Sequence, residues 1–415
     1  MASDAGFPVD SETESQLQSK LQCRLQSCIH SQSNDAPAPV VVAGRDHYID
    51  RLRSAMTVLV IVCHSAMTYG GRGNWFYREL EPSGRPTSLL FTFMVGTTQA
   101  FAMGFFFLLS GYFTPRPLER KGYVQFLQDR FLRLGVPLLA FIFFLGPLTA
   151  AMVDWAQGRG FWATIAWLWR HHRAINGPLW FAEALLLLSL GYCGWRAVFG
   201  SPLEETKRAP KAVPAQVWWI AAAIGTGLGS IAIRRVCPVG RTILGLQVGY
   251  FSGYIVLFAV GIAAWRYDWL RQLEWRHARP WVVSLIFEWP TLPLMLVVST
   301  AFSDTGGPNF NGGLGLPAMF YAFWEPFVAW GLICICLLVF RAWVNRPSAI
   351  WDWIDRRAYA VYIVHSPVLV GISLALRSWG TPALVKFTVS SVLACVACWL
   401  IADPILRIPG MRRIV

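Results

Sequence analysis

Ten long apolar stretches, separated by connections that hold nearly all the charge, leave this chain few ways to fold. They fall at about residues 52–69, 88–113, 134–153, 179–199, 217–233, 249–265, 281–302, 317–340, 358–376 and 383–402. Most approach the ~20 residues that a helix needs to cross a ~30 Å hydrocarbon layer. In lipid the backbone N–H and C=O groups must be satisfied within the segment, which a helix does. Composition agrees: 55% of residues are hydrophobic and 14% charged, where soluble domains carry roughly 25% charged residues. The expectation is an all-α polytopic membrane protein with about ten transmembrane helices in a lipid bilayer. Residues 1–47, rich in Ser, Gln, Asp, Ala and Pro, read as a disordered polar tail, and 48–415 as the transmembrane domain. The first apolar stretch has no cleavage-type flank and reads as a signal anchor. Gly225, Gly227 and Gly229 interrupt the fifth segment, and His365 and Pro367 the ninth. Residues 161–169 are too short to span and read as an interfacial or re-entrant piece.

The net charge of +13 suggests nucleic acid only until the charges are placed. They sit at segment ends, so no nucleic-acid partner is expected. Twenty-five of the 36 Lys and Arg residues fall on one side of the ten segments. That asymmetry puts both termini in the cytoplasm. Loop 303–316 holds no basic residue and is the clearest outside loop. Most cysteines lie in apolar runs and read as small packing residues.

The informative residues are the polar ones inside the apolar runs. Arg53 stands at the rim of the first segment and His64 eleven residues further in. At ~1.5 Å per residue that is ~16 Å, about half the hydrocarbon core, so His64 lies near the midplane. An ionisable group there costs free energy and is a functional candidate by default. His365 lies eight residues past Arg357, or ~12 Å in, at a depth that lets the two histidines share a cavity. Glu183, Glu288 and Glu325 also interrupt apolar segments. A carboxylate beside a histidine raises its basicity, and Glu183 is the best placed. Glu288-Trp-Pro and Trp-Glu325-Pro read as kinked helix positions. Arg130 and Arg133 are one helical turn apart in the basic stretch 114–137, and two guanidinium forks suit a phosphorylated ligand. The plain alternative is positive-inside anchoring. There is no P-loop, no GxGxxG fingerprint and no HExxH, so no soluble catalytic domain or metal site is expected.

Together these pieces resemble the membrane acyltransferase 3 family, and within it most the glucan-biosynthesis protein C group. Arg53-x10-His64 matches a signature of its first helix. Phe105-Phe-Phe-Leu-Leu-Ser110-Gly-Tyr-Phe113 is similar to its Phe-x-x-Ser-Gly-aromatic motif. Arg130-x-x-Arg133-x-x-x-Pro137, Leu179-Trp180-Phe and Tyr359-x-x-Tyr362-x-x-His365 resemble three further motifs, all in order. The likeness covers about 48–415; the long tail departs from it.

The resemblance implies transfer of an acyl group from cytoplasmic acyl-CoA to a hydroxyl, commonly of a carbohydrate. In the glucan group the acyl unit is succinyl. His64 is then the general base or transient acyl carrier, oriented by Glu183. Arg53, Arg130 and Arg133 hold the CoA phosphates, and Ser110, Trp180 and His365 shape the cavity. Acyl-CoA is a substrate, and no permanently bound cofactor is expected. The plasma (cell inner) membrane is the implied location. The competing expectation is a proton-coupled secondary transporter using the buried His and Glu residues.

Overall fold

The computed structural model describes residues 46–200, 209–301 and 309–414. Apart from its last two residues, the tail read at 1–47 lies outside them, as does part of loop 303–316. The described residues form a helical bundle with no β-strand. In chain order the helices are α1 (His47–Thr68), α2 (Pro86–Tyr112), α3 (Pro115–Ala156), α4 (Phe161–Arg170), α5 (Trp180–Phe199), α6 (Gln216–Val236) and α7 (Phe251–Tyr267). They continue as α8 (Trp275–Glu288), α9 (Thr291–Ala301), α10 (Leu316–Trp343), α11 (Ala349–Asp355), α12 (Ala358–Ala375) and α13 (Ala383–Arg407).

Nine helical stretches among the described residues are long and apolar enough to cross a membrane. Helix α1, the first apolar segment, is the remaining one, and it misses that mark because Arg51, Arg53 and His64 dilute its hydropathy. It is nevertheless the hub, packed against α2, α10, α11, α12 and α13. Its apolar residues serve two cores. Val60 and Ile61 join residues of α3, α5, α12 and α13. Tyr48, Ile49, Leu52 and Met56 join residues of α2, α6, α7, α8 and α10.

Local sequence explains the shape of single helices. The basic stretch is helical from Pro115 and runs straight into the third apolar segment. Gly122, at φ 75° and ψ 173°, breaks α3 near its start, a conformation glycine adopts without a Cβ penalty. Two π-turns follow, Phe131–Gly135 and Phe141–Leu145, each just ahead of a proline, Pro137 or Pro147. Proline lacks the N–H that would close the regular turn, and the helix accommodates by widening. The segment expected at 281–302 is divided, α8 ending before Trp289-Pro290 and α9 starting at Thr291. By contrast α6 and α12 run unbroken through their glycines and Pro367. The short α4 leaves Trp162, Trp167 and Trp169 at least half exposed, as an interfacial helix should.

Helices α2 and α7 make a backbone-to-backbone contact. A Cβ on Gly111 would lie 2.1 Å from the Phe258 carbonyl oxygen, and one on Gly261 would lie 2.0 Å from that of Leu108. Small residues at facing positions are how helices approach closely in lipid. The bundle end where α1 begins is here termed the basic end and the opposite one the far end.

Candidate active site: two cavities and a histidine pair

A cavity of about 550 Å³ opens at the basic end. Helix α1 supplies Arg53 and Thr57, α2 supplies Ser110, and α3 supplies Arg120, Lys121, Arg130 and Arg133. Tyr359 and Tyr362 of α12 line it too. The π-turn after Arg130 alters the regular spacing, yet both predicted arginines reach this one cavity. Arg130 donates to Thr114 Oγ1 at 3.1 Å and stacks over Phe126 at 5.0 Å. Thr114 in turn donates to the Ser110 carbonyl at 2.6 Å, so the Ser-Gly-aromatic end of α2 helps to fix that guanidinium. Arg120, Lys121 and Arg412 were not singled out from sequence. A basic residue at a segment end has the same signature whether it anchors the bundle or lines a cavity.

A second cavity, of about 640 Å³, opens at the far end. His64 and Trp180 face it, beside Trp75, Asn176, Gln99, Gln247, Tyr250, Asn311 and Tyr321. The layer between the cavities is thin. Thr57 lines one and His64 the other, which is seven residues or ~10 Å along α1. Phe181 and Trp180, adjacent on α5, face opposite cavities.

In that layer Nδ1 of His64 lies 3.1 Å from Nε2 of His365. The rings are parallel within 9°. Nδ1 of His365 is 2.6 Å from the Tyr362 carbonyl oxygen. A carbonyl only accepts, so this nitrogen carries the proton. With both rings neutral, Nε2 of His365 must accept, and Nδ1 of His64 must donate to it. Nε2 of His64 is then left with a free lone pair. Trp75, from the connection between α1 and α2, stacks on His64 with centroids 3.9 Å apart. No pattern in the sequence marks this tryptophan.

Glu183, expected to orient His64, accepts a hydrogen bond from Asn176 at 2.8 Å. The group placed against His64 is His365, which is completely buried. Glu325, read as a kink position, lies inside unbroken α10 and pairs with Arg234 of α6. Among the described residues no group of three His, Cys, Asp or Glu side chains is arranged to hold a metal ion.

The bundle is that of a multi-pass integral membrane protein whose polar interior is split into two cavities at a histidine pair. Residues 46–403 match the acyltransferase domain family, and the chain belongs to it. Curated relatives include "Glucans biosynthesis protein C" of Escherichia coli strain SMS-3-5 and of strain O1:K1. Each is 27% identical over 165 residues, which is 37% of this chain and 40% of the relative. The chain thus matches about two fifths of the length of these relatives. No solved structure matches it.

Proposed function

We propose that this protein is an integral-membrane O-acyltransferase. An acyl-CoA enters the basic-end cavity from the cytoplasm, and a hydroxyl acceptor occupies the far-end cavity. The carrying observation is the His64–His365 pair, 3.1 Å apart at the junction of a polycationic cavity and one lined by aromatic and amide side chains. The first lining suits the phosphates of CoA. The second suits a neutral polyhydroxylated ligand, which stacks on rings and exchanges hydrogen bonds with amides. The name of the relatives, glucans biosynthesis protein C, supports a glycan acceptor and, with the family likeness, an acetyl or succinyl donor. Both termini then face the cytoplasm, and the plasma membrane is the proposed location.

In the simplest sequence Nε2 of His64 removes the acceptor's proton as its oxygen attacks the thioester carbonyl. The C–S bond breaks and the CoA thiolate takes the proton from His64. In the imidazolium stage Nδ1–H of His64 still donates to His365, so the pair stays fixed throughout. The same lone pair also suits direct attack on the thioester carbonyl: the C–S bond breaks, CoA leaves as the thiolate and Nε2 carries the acyl group. The acceptor oxygen then attacks that acyl carbon, the N–C bond breaks to restore neutral His64, and the CoA thiolate takes the acceptor's proton. Arg53 and His64 are ~16 Å apart along α1, a span that the pantetheine arm bridges.

Binding and turnover of acetyl-CoA and succinyl-CoA by the purified protein, His64→Ala and Arg133→Ala test the reading. Binding weakened by Arg133→Ala, with CoA release lost in His64→Ala, is expected. A folded wild type that binds neither thioester overturns it in favour of a proton-coupled transporter.

A further inference from the structure

The mechanism makes no use of the bundle's most deeply buried ion pair. Arg234 of α6 is 2% exposed and Glu325 of α10 is 7% exposed, and Arg234 Nη2 donates to Glu325 Oε2. Nε of Arg234 donates to the Gly249 carbonyl at 2.9 Å. Tyr250 and Tyr321 flank the guanidinium, with ring centroids 5.1 and 5.5 Å away. Two polar atoms of the pair are left over. Nη1 of Arg234 and Oε1 of Glu325 are buried and make no hydrogen bond among the described residues. Each buried unsatisfied group costs about 1–3 kcal/mol, more when charged.

Both residues line a recess of about 40 Å³, room for about three water-sized groups. Gln99 and Tyr250 line this recess and the far-end cavity alike, so the two share a wall. Charge decides what fits. The guanidinium is already neutralised by its carboxylate, so the recess does not favour an anion. The pair's two unsatisfied atoms are one donor and one acceptor, the complement of a hydroxyl group, beside the further polar side chains of Gln99, Thr226 and Ser230. A hydroxyl donates to Oε1 and accepts from Nη1 at the same time.

We propose that the Arg234–Glu325 recess is a hydroxyl-binding subsite of the far-end cavity that holds a sugar acceptor through a hydroxyl other than the reacting one. The proposal rests on the acyltransferase reading and sharpens it, since a second hydroxyl held away from His64 selects a polyol over a simple alcohol. Arg234 and Glu325 are binding residues; Tyr250 and Tyr321 flank the guanidinium, and the Tyr321 hydroxyl also steadies the Glu325 carboxylate, a contact that Tyr321→Phe removes.

The test is calorimetric titration of the purified full chain with cellobiose, and separately with acetyl-CoA and succinyl-CoA. Removing one partner strands a buried charge, so the informative variant is Arg234→Met with Glu325→Met, a replacement that bundles often tolerate. Tyr321→Phe is the milder companion. The expected result is cellobiose affinity at least tenfold lower in the double variant and a few-fold lower in Tyr321→Phe, with acyl-CoA affinity unchanged in both. If the double variant does not fold, Tyr321→Phe decides, and unchanged cellobiose affinity there overturns the subsite. Equal cellobiose affinity in a folded double variant also overturns it while leaving the acyltransferase reading intact. A wild type that binds no cellobiose overturns it as well. If that wild type binds no acyl-CoA either, the acyltransferase reading falls with it.

Discussion

The two cavities are similar in size, about 550 and 640 Å³, but opposite in chemistry. The basic-end cavity gathers Arg53, Arg120, Lys121, Arg130, Arg133 and Arg412 against Asp50, Asp129 and Asp355. Part of that charge is spent internally, since Lys121 pairs with Asp129 and Arg53 lies 3.9 Å from Asp50. Among the described residues, Arg72 is the one Lys or Arg that lines the far-end cavity. Binding at the first should therefore fall as salt rises, since exposed charges are screened within ~8–10 Å at physiological ionic strength. Binding at the second should barely respond. On the proposed function each bundle end takes one substrate, and only the layer between them has to suit both.

That layer carries the largest expected effect. His64→Ala should lower transfer by about 10³-fold, within the range of general base catalysis, with acyl-CoA affinity kept. His365→Ala should lower kcat by about 10²-fold, because His64 then loses the partner that fixes its tautomer. His365 is a positioning residue here. Its expected signature is a fall in kcat and a displaced pH–rate profile at unchanged KM for both substrates. A His365→Ala enzyme with wild-type kcat would separate the pair from the chemistry.

Next come variants that should split the cavities. Arg133→Ala removes a cation from the basic-end cavity and should weaken acyl-CoA binding about tenfold at low salt. The salt dependence of binding should flatten, and acceptor KM should not move. Arg412→Ala should act in the same direction by about threefold, because its exposed side chain is held by one hydrogen bond, Nε to the Leu406 carbonyl at 3.2 Å. Equal effects of either variant on donor and acceptor would mean that the cavities are not separate binding sites.

How much of this was legible in the sequence follows from which contacts are local. Helical rise alone put His64 half-way into the bilayer from Arg53, because both sit on one continuous helix. Depth matching brought His365 to the same level, though not to within hydrogen-bond reach. The pairings that failed to show are long-range. Glu325 is 91 residues from Arg234, and hydropathy records Glu325 as a blemish in its segment and Arg234 as an ordinary charge just past the end of 217–233. Glu183 stands out for its place near the outer end of its apolar segment, behind Gly-Pro-Leu-Trp-Phe, but position along a helix says nothing about which way a side chain points around it. Its partner Asn176 comes from the turn just before α5. Trp75 sits in a connection, where neither periodicity nor depth applies. Helix α1 shows the conflict most plainly: the residues that carry the site also cost it the composition of a spanning helix.

The smallest expected effect concerns Asp355, at the end of α11 on the rim of the basic-end cavity. Burial pushes its carboxyl up from the usual range, and nearby Asp50 and Asp352 push the same way. The hydrogen bond from Ser54 Oγ, at 2.6 Å, and the charge of Arg51 oppose that rise. A raised carboxyl holds its proton longer in the folded protein than in the unfolded chain. Its contribution to stability is therefore present at low pH and declines as pH rises through its folded titration. The same titration adds a negative charge beside the phosphate site. Acyl-CoA affinity should therefore fall about two- to threefold as pH rises through that range, on the scale of one partly screened surface charge. The CoA phosphates titrate as well, so the comparison that isolates Asp355 is with Asp355→Asn. That variant should bind acyl-CoA slightly more tightly at neutral pH and lose the extra pH dependence, while acceptor KM stays the same at every pH. A pH effect on donor binding that survives unchanged in Asp355→Asn would assign it to the ligand, and the rim carboxylate would have no part in tuning the basic end.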